Sequence, residues 1–401
     1  MKFRRTQWLW MAVLAGCVLH TTGLSHGQLT DSEKKASVGD SPADPGPLTE
    51  GLSPALSHHA IHAAMRKVAD WQNARIATTP SRDWTFSTLY AGFLAASRTL
   101  GDPKYHDTVL AASEHFDWVL GPRRAHADDQ AIGQAYLALY REKPDPVRIA
   151  GIRTQFDALM LTPDDPKKPV WWWCDALFMA PPVWAGLADA SGDSKYLGYM
   201  DREWHMTSDL LWDPKEKLFS RDAAYLTRYE KNGRKMFWSR GNGWVMGGLV
   251  QVLERMPAND PRRPFYVKKL QDMAEAVAAS QDQDGLWRAG LLDSASYPNP
   301  EISGSAFFVY AMTWGVRHGL LDERRYMPVV RRGWAGMLRH VYADGRLGDI
   351  QPVGEAPGAY TSGASYVFGV GSFLLAGSEL DAFVSSPSIS TKQRHPHAGH
   401  P

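Results

Sequence analysis

The chain has 401 residues, of which 44% are apolar, enough to bury one large core or two average ones. Its formal net charge is +1 and neither sign forms a long run, which argues against nucleic acid as a partner. Two cysteines, Cys17 and Cys174, leave no room for a disulfide framework or for zinc-type ligand spacing.

Residues 1–27 read as an export signal. Lys2, Arg4 and Arg5 form a charged start, and Trp8 to Leu19 supply an apolar run too short for a bilayer-spanning helix. Two processing routes are open. Leu14-Ala15-Gly16-Cys17 resembles a lipobox, in which Cys17 is lipidated and anchors the chain to a membrane. Ser25-His26-Gly27 offers small residues for ordinary cleavage. Either route places the mature chain outside the cytoplasm. Residues 28–52, rich in Asp, Ser, Pro and Gly, read as a flexible linker. Residues 53–384 form one folded domain, and 385–401, with three histidines, a disordered tail.

Within the domain the apolar residues recur at helical spacing. Helices are predicted over His58 to Trp71, Thr88 to Leu100, Ile132 to Tyr140, Leu177 to Leu187, Val245 to Leu253, Val267 to Ala279, Ala306 to His318 and Val329 to Val341. Alternation of the strand type is scarce. A weak repeat accompanies the helices. Leu100-Gly101-Asp102 recurs as Ser191-Gly192-Asp193-Ser194 and, more loosely, as Gly319-Leu320-Leu321-Asp322. Each copy ends a helix near Gly and caps the next with Asp or Ser. A second element, acid–turn–Leu, appears at Asp213 to Phe219, Asp284-Gly285-Leu286 and Asp344-Gly345-Arg346-Leu347. Such hairpins suit a closed ring better than an open solenoid, which would show a stricter period.

Four segments carry candidate chemistry. In Trp171-Trp172-Trp173-Cys174-Asp175 one carboxylate sits among three indoles and a thiol. Burial would raise its pKa and suit it to general acid work, whereas an Asp before Ala176 could instead cap a helix. His126-Ala127-Asp128-Asp129 places two acids at a helix start, either as cap and dipole partners or as a second catalytic carboxyl. Trp238-Ser239-Arg240-Gly241-Asn242-Gly243-Trp244 predicts a tight turn that presents Arg240 and Trp244 together. Glu301-Ile302-Ser303-Gly304-Ser305 enters a helix and either lines a cleft or is structural. Sixteen tryptophans fit a sugar cleft or simply a large core.

Trp173-Cys174-Asp175, Arg240-Gly241-Asn242-Gly243-Trp244, Asp284-Gly285-Leu286-Trp287, Glu301-Ile302-Ser303-Gly304-Ser305 and the late Gly369-Val370-Gly371-Ser372 resemble glycoside hydrolase family 105, the unsaturated rhamnogalacturonyl hydrolases. The resemblance spans roughly residues 60–380. It implies an all-α (α/α)6 barrel and no cofactor or metal. It further implies a partner that is a lyase-generated oligosaccharide ending in a 4,5-unsaturated uronic acid. Asp175 would be the acid and Asp128, or its neighbour Asp129, the second carboxyl. Trp84, Trp173, Arg221, Arg240 and Trp244 complete the expected substrate contacts. In the implied reaction Asp175 protonates C4 of the enol ether, water adds at C5, and the glycosidic bond is lost as the hemiketal opens. An inverting glycosidase acting on saturated glycans and a non-catalytic, lipid-anchored glycan binder are the competing readings.

Overall fold

A computed structural model describes residues 38–386 apart from 77, 163, 164, 166 and 167. The expected signal, the Cys17 lipobox, most of the linker and nearly all of the tail lie outside the described residues.

Twelve long helices run through the described residues: α1 (His58–Ile76), α2 (Trp84–Leu100), α3 (Pro103–His115), α4 (Gly133–Glu142), α5 (Val147–Met160), α6 (Pro181–Ser191), α7 (Lys195–Leu211), α8 (Ser239–Arg255), α9 (Arg263–Ala279), α10 (Ile302–Arg317), α11 (Glu323–Leu338) and α12 (Val367–Ser385). The even-numbered helices pack side by side in a closed circle, α2 to α4, α4 to α6, α6 to α8, α8 to α10, α10 to α12 and α12 back to α2. The odd-numbered helices lie outside them. This is the (α/α)6 barrel expected.

Burial patterns follow from that placement. Inner helices touch neighbours on several sides, so α10 buries every residue from Ile302 to Val316. The outer α3 buries only Tyr105, Val109, Ala112 and Ser113, a narrow stripe on an otherwise polar surface. The predicted Leu177 to Leu187 helix is broken in two. A single turn, Ala176–Met179, precedes α6, and Pro181 restarts the chain as the first residue of the new helix.

Inner-to-outer connections are short and use the repeat. Gly101, Gly192 and Gly319 all take positive φ past a helix end. Asp102 and Asp322 cap the next helix with their side chains. In the second copy Asp193 accepts the Lys195 N–H at 3.1 Å, and Ser194 makes no side-chain cap bond. The opposite, outer-to-inner connections are long, and the acid–turn–Leu elements lie there. Asp213, Asp284 and Asp344 each accept a backbone N–H two residues on. Strand is confined to two-residue pairs, Trp212–Asp213 with Leu218–Phe219 and Gly39–Asp40 with Ser365–Tyr366.

The second pair corrects the linker expectation over its described part. Residues 38–52 are laid along the loop before α12. Gly39 pairs with Tyr366, Thr49 donates to the Val341 carbonyl, and Asp40 pairs with Arg75.

Inner helices approach closely where a side chain is missing. A Cβ on Gly371 of α12 would stand 2.3 Å from the Thr88 carbonyl oxygen of α2, a backbone atom with no freedom to yield. Gly198 on the exposed face of α7 has nothing nearer than Arg262 Nη1 at 4.0 Å. Two alanine substitutions therefore have opposite signs. Gly371→Ala is expected to lower stability by about 1–3 kcal/mol through overpacking. Gly198→Ala is expected to raise it by about 0.5–1 kcal/mol through helix propensity. Denaturant melts of both test the backbone contact between α2 and α12, and equal effects would refute it.

Candidate active site

Because every outer-to-inner connection ends at the start of an inner helix, all six inner N-termini open on one mouth of the barrel. A cavity of about 350 Å³ lies in that mouth, walled by Trp84, Asp128, Trp173, Asp175, Met179, Arg221, Val353, Gly354 and Glu355. They come from five of the six long connections and the turns and helix starts that adjoin them. Trp84 opens α2, held there by the Asp83 cap, and stacks on Phe368 at 5.8 Å between centroids.

Asp175 precedes the Ala176–Met179 turn, but its backbone is already helical and its side chain makes no cap bond. The capping explanation of this acid therefore fails. Backbone pairing fixes its surroundings. Trp173 bridges to Asp222, and the Cys174 N–H donates to the Arg221 carbonyl at 2.8 Å. That pairing brings Arg221 beside the acid, with Nε 3.6 Å from Asp175 Oδ2. Asp222 accepts the other end of the guanidinium at 2.6 Å. Arg221 Nε is buried without a hydrogen-bond partner. Burial pushes the Asp175 carboxyl above its ordinary pKa, with Arg221 and Arg240 pulling the other way.

Asp128 sits in the Ala127–Gln130 turn, 3.6 Å from His126 Nδ1. Burial, and then the Asp175 charge, raise its pKa to about 7. Two carboxyls lining one cavity disfavour each other's ionisation, so they titrate as a coupled pair with the second ionisation pushed up.

Other expected contacts are placed differently. Asp129 points away from the cavity and is clasped by Arg123, whose backbone and guanidinium bond it at 2.6–3.2 Å. Burial opposes its ionisation, but those Arg123 bonds prevail and keep its pKa low. Asp129 thus fixes the loop that carries Asp128. The tight turn expected at Gly241 and Gly243 is absent, because α8 runs straight through both. Gly243 instead lets α8 approach Gly304 of α10. Trp244 is wholly buried against Trp84, Phe178 and Phe307, behind the cavity wall, so it does not face a sugar.

Arg240 is also wholly buried, beneath the wall. Its Nη1 donates to the Gln351 carbonyl and its Nη2 to the Pro352 carbonyl, the latter at 2.8 Å. Trp238 Nε1 donates to Gln351 Oε1 at 2.9 Å, and Glu301 accepts the Gln351 N–H at 3.2 Å. Arg240 therefore ties down the segment whose next residues, Val353 to Glu355, form the cavity rim. That rim escaped sequence reasoning, since its loop carries no periodicity. Met179 escaped because its apolar side chain reads as core.

A second cavity of about 240 Å³ lies toward the opposite mouth, among Arg98, Glu254, Arg255 and Glu379. Its acids are ion-paired, Glu379 with Arg317 and Glu254 with Arg255.

The model of glycosyl hydrolase family 88 matches residues 56–384. An unsaturated 3S-rhamnoglycuronyl hydrolase from Formosa agariphila is 36% identical over 81% of this chain and 91% of its own. A protein of the same name from Alteromonas sp. (strain LOR) is 31% identical over 77% of this chain and 80% of its own. Among solved structures, one described as a polysaccharide lyase superposes with a TM-score of 0.78 at 30% identity, covering 82% of this chain and 99% of its own.

Two measurements check this geometry. Arg240→Lys keeps the charge but cannot span two carbonyls with a planar fork. Loss of one charge-assisted bond predicts a KM higher by about tenfold or more, with the shape of the pH profile unchanged. An unaltered KM would show that the rim does not depend on Arg240. Asp128 links pH to stability. Its pKa is raised from 3.8 to about 7, so its contribution is fully present below the unfolded value and is lost as pH rises through the folded one. Asp128→Asn is therefore expected to melt higher than the parent at about pH 8, with the difference fading toward about pH 4. A difference independent of pH would refute the burial of an ionisable group there.

Proposed function

The chain belongs to glycosyl hydrolase family 88, and on that premise we propose that it removes a terminal 4,5-unsaturated uronic acid from oligosaccharides by hydrating the double bond. One observation carries the reading: a buried carboxyl with a raised pKa, Asp175, faces a sugar-sized cavity beside a second raised carboxyl and a guanidinium.

Asp175 in its protonated form delivers the proton to C4. The electron pair of the C4=C5 bond forms the new C–H bond, and positive charge develops at C5 and the ring oxygen. Water attacks C5 and gives its proton to the Asp175 carboxylate, which restores the acid. The hemiketal opens, the bond from C1 to the glycosidic oxygen breaks, and that oxygen leaves with a proton on the shortened oligosaccharide. Arg221, with Nε 3.6 Å from the Asp175 carboxylate, stabilises the anion during the interval between the two proton transfers. Asp128 holds substrate hydroxyls and steadies the developing charge. Trp84 and Trp173 offer apolar faces for the ring, and Val353 to Glu355 form the rim of the cavity.

Asp175→Asn tests the assignment, since the amide is nearly isosteric but has no carboxylic proton. General acid help is typically worth about 10²–10⁴-fold, so a loss at least that large is expected with little change in melting temperature. The readout is the disappearance of the ultraviolet absorbance of the double bond in an unsaturated uronyl disaccharide. A lyase acting on intact polysaccharide would instead raise that absorbance. If the variant melts normally and keeps more than about a tenth of the parent rate, Asp175 is not the acid.

A further inference from the structure

The ring closes where its first helix meets its last. The outer α1 packs on the inner α12, and both the start of α1 and the end of α12 lie at the mouth opposite the carboxyl pair. His58 and His62 are four residues apart on α1 and so share one face. Asp381, near the end of α12, stands between them. His58 Nδ1 is 2.6 Å and His62 Nε2 is 2.9 Å from the same oxygen, Asp381 Oδ1.

An ordinary ion-pair network accounts for part of this arrangement, because His58 hydrogen-bonds the carboxylate. It reaches His62 only as a charge contact. Its Nε2 is covered from solvent, lies within bonding distance of Asp381, and still makes no hydrogen bond. A buried ring nitrogen that faces an anion without bonding it is normally avoided. The three candidate ligand atoms lie within 4.8 Å of one another.

We propose that His58, His62 and Asp381 form a binding site for one divalent transition-metal ion of the zinc class, a staple joining the first and last helices of the ring. Two imidazoles and a carboxylate suit zinc, and a water would complete four-coordination. Ligands about 2.0 Å from a tetrahedral ion stand roughly 3.3 Å apart, so binding moves the Asp381 carboxylate back by a few tenths of an ångström and brings the two imidazole nitrogens, within 4.8 Å of each other, to that spacing. The ion takes no part in the proposed reaction, because the cavity opens at the other mouth.

The chain has a second source of imidazoles, His395, His397 and His400 in its tail. The test therefore uses the full chain with those three replaced by alanine, stripped with chelator and titrated with zinc chloride by calorimetry. The expected result is saturable uptake of one ion per chain and a melting temperature raised by several degrees in excess zinc. His62→Ala and the polar His62→Gln, made in the same background, are each expected to abolish the uptake. Both should melt close to the parent in chelator and turn over the unsaturated disaccharide at the parent rate. Absence of saturation up to about 0.1 mM zinc, the level of a weak surface site, would overturn the proposal. Uptake that survives in either His62 variant would overturn it equally.

Discussion

The alternation of outer and inner helices constrains everything else. Each inner helix is entered from the same end, so six helix N-termini and six long connections are gathered at one mouth. Each N-terminus carries a partial positive charge, offset at α2 and α10 by the capping carboxylates of Asp83 and Glu301. A concentration of such ends suits an anionic substrate such as a uronate, although the chain as a whole carries a net charge of only +1. The inner-to-outer connections at the far mouth are shorter on the whole and contribute no residue to this cavity.

Within that mouth two electrostatic demands conflict. In the proposed reaction Asp175 must hold its proton more firmly than an exposed aspartate does, yet its carboxylate must be tolerated once the proton has moved to carbon. Burial supplies the first, and Arg221 beside it supplies the second. A closer pair would hold the carboxylate ionised and remove the acid, while a more distant one would leave the anion without compensation. The same crowding acts on Asp128, whose carboxyl is raised by burial and then by the charge of Asp175. Arg240 contributes a weaker pull from beneath the wall while its donors fix the rim.

The sequence made the helices legible where apolar residues cover a wide face. α3, α5 and α7 escape the periodicity reading, and α12 is indicated only by the family resemblance of its Gly369-Val370-Gly371-Ser372 segment. The buried stripe of α3 is only a few residues wide, and the buried face of α7 includes Glu203, Thr207 and Ser208, so neither gives a clean apolar period. Asp175 was legible because a single acid stands among indoles, and the structure brings it together with Asp128, Trp84, Trp173 and Arg221. The motif around Arg240 misled for a physical reason. A wholly buried arginine is uncommon, and nothing local reveals that two carbonyls more than a hundred residues away await its donors. Trp244 could not be divided between core and cleft, since an indole serves either. The rim from Val353 to Glu355 is defined by its anchors rather than by its own residues, and those anchors are remote in sequence.

The account stands on hydration of a double bond as opposed to direct displacement at the anomeric carbon. The most direct measurement compares two disaccharides that share linkage and leaving sugar, one with the 4,5-unsaturated uronate and one with the saturated uronate. Enol-ether hydration predicts turnover of the first and no detectable cleavage of the second at equal enzyme and substrate concentrations. Release of the leaving sugar from the saturated compound at a comparable rate would contradict it, and would make the two carboxyls those of a conventional glycosidase.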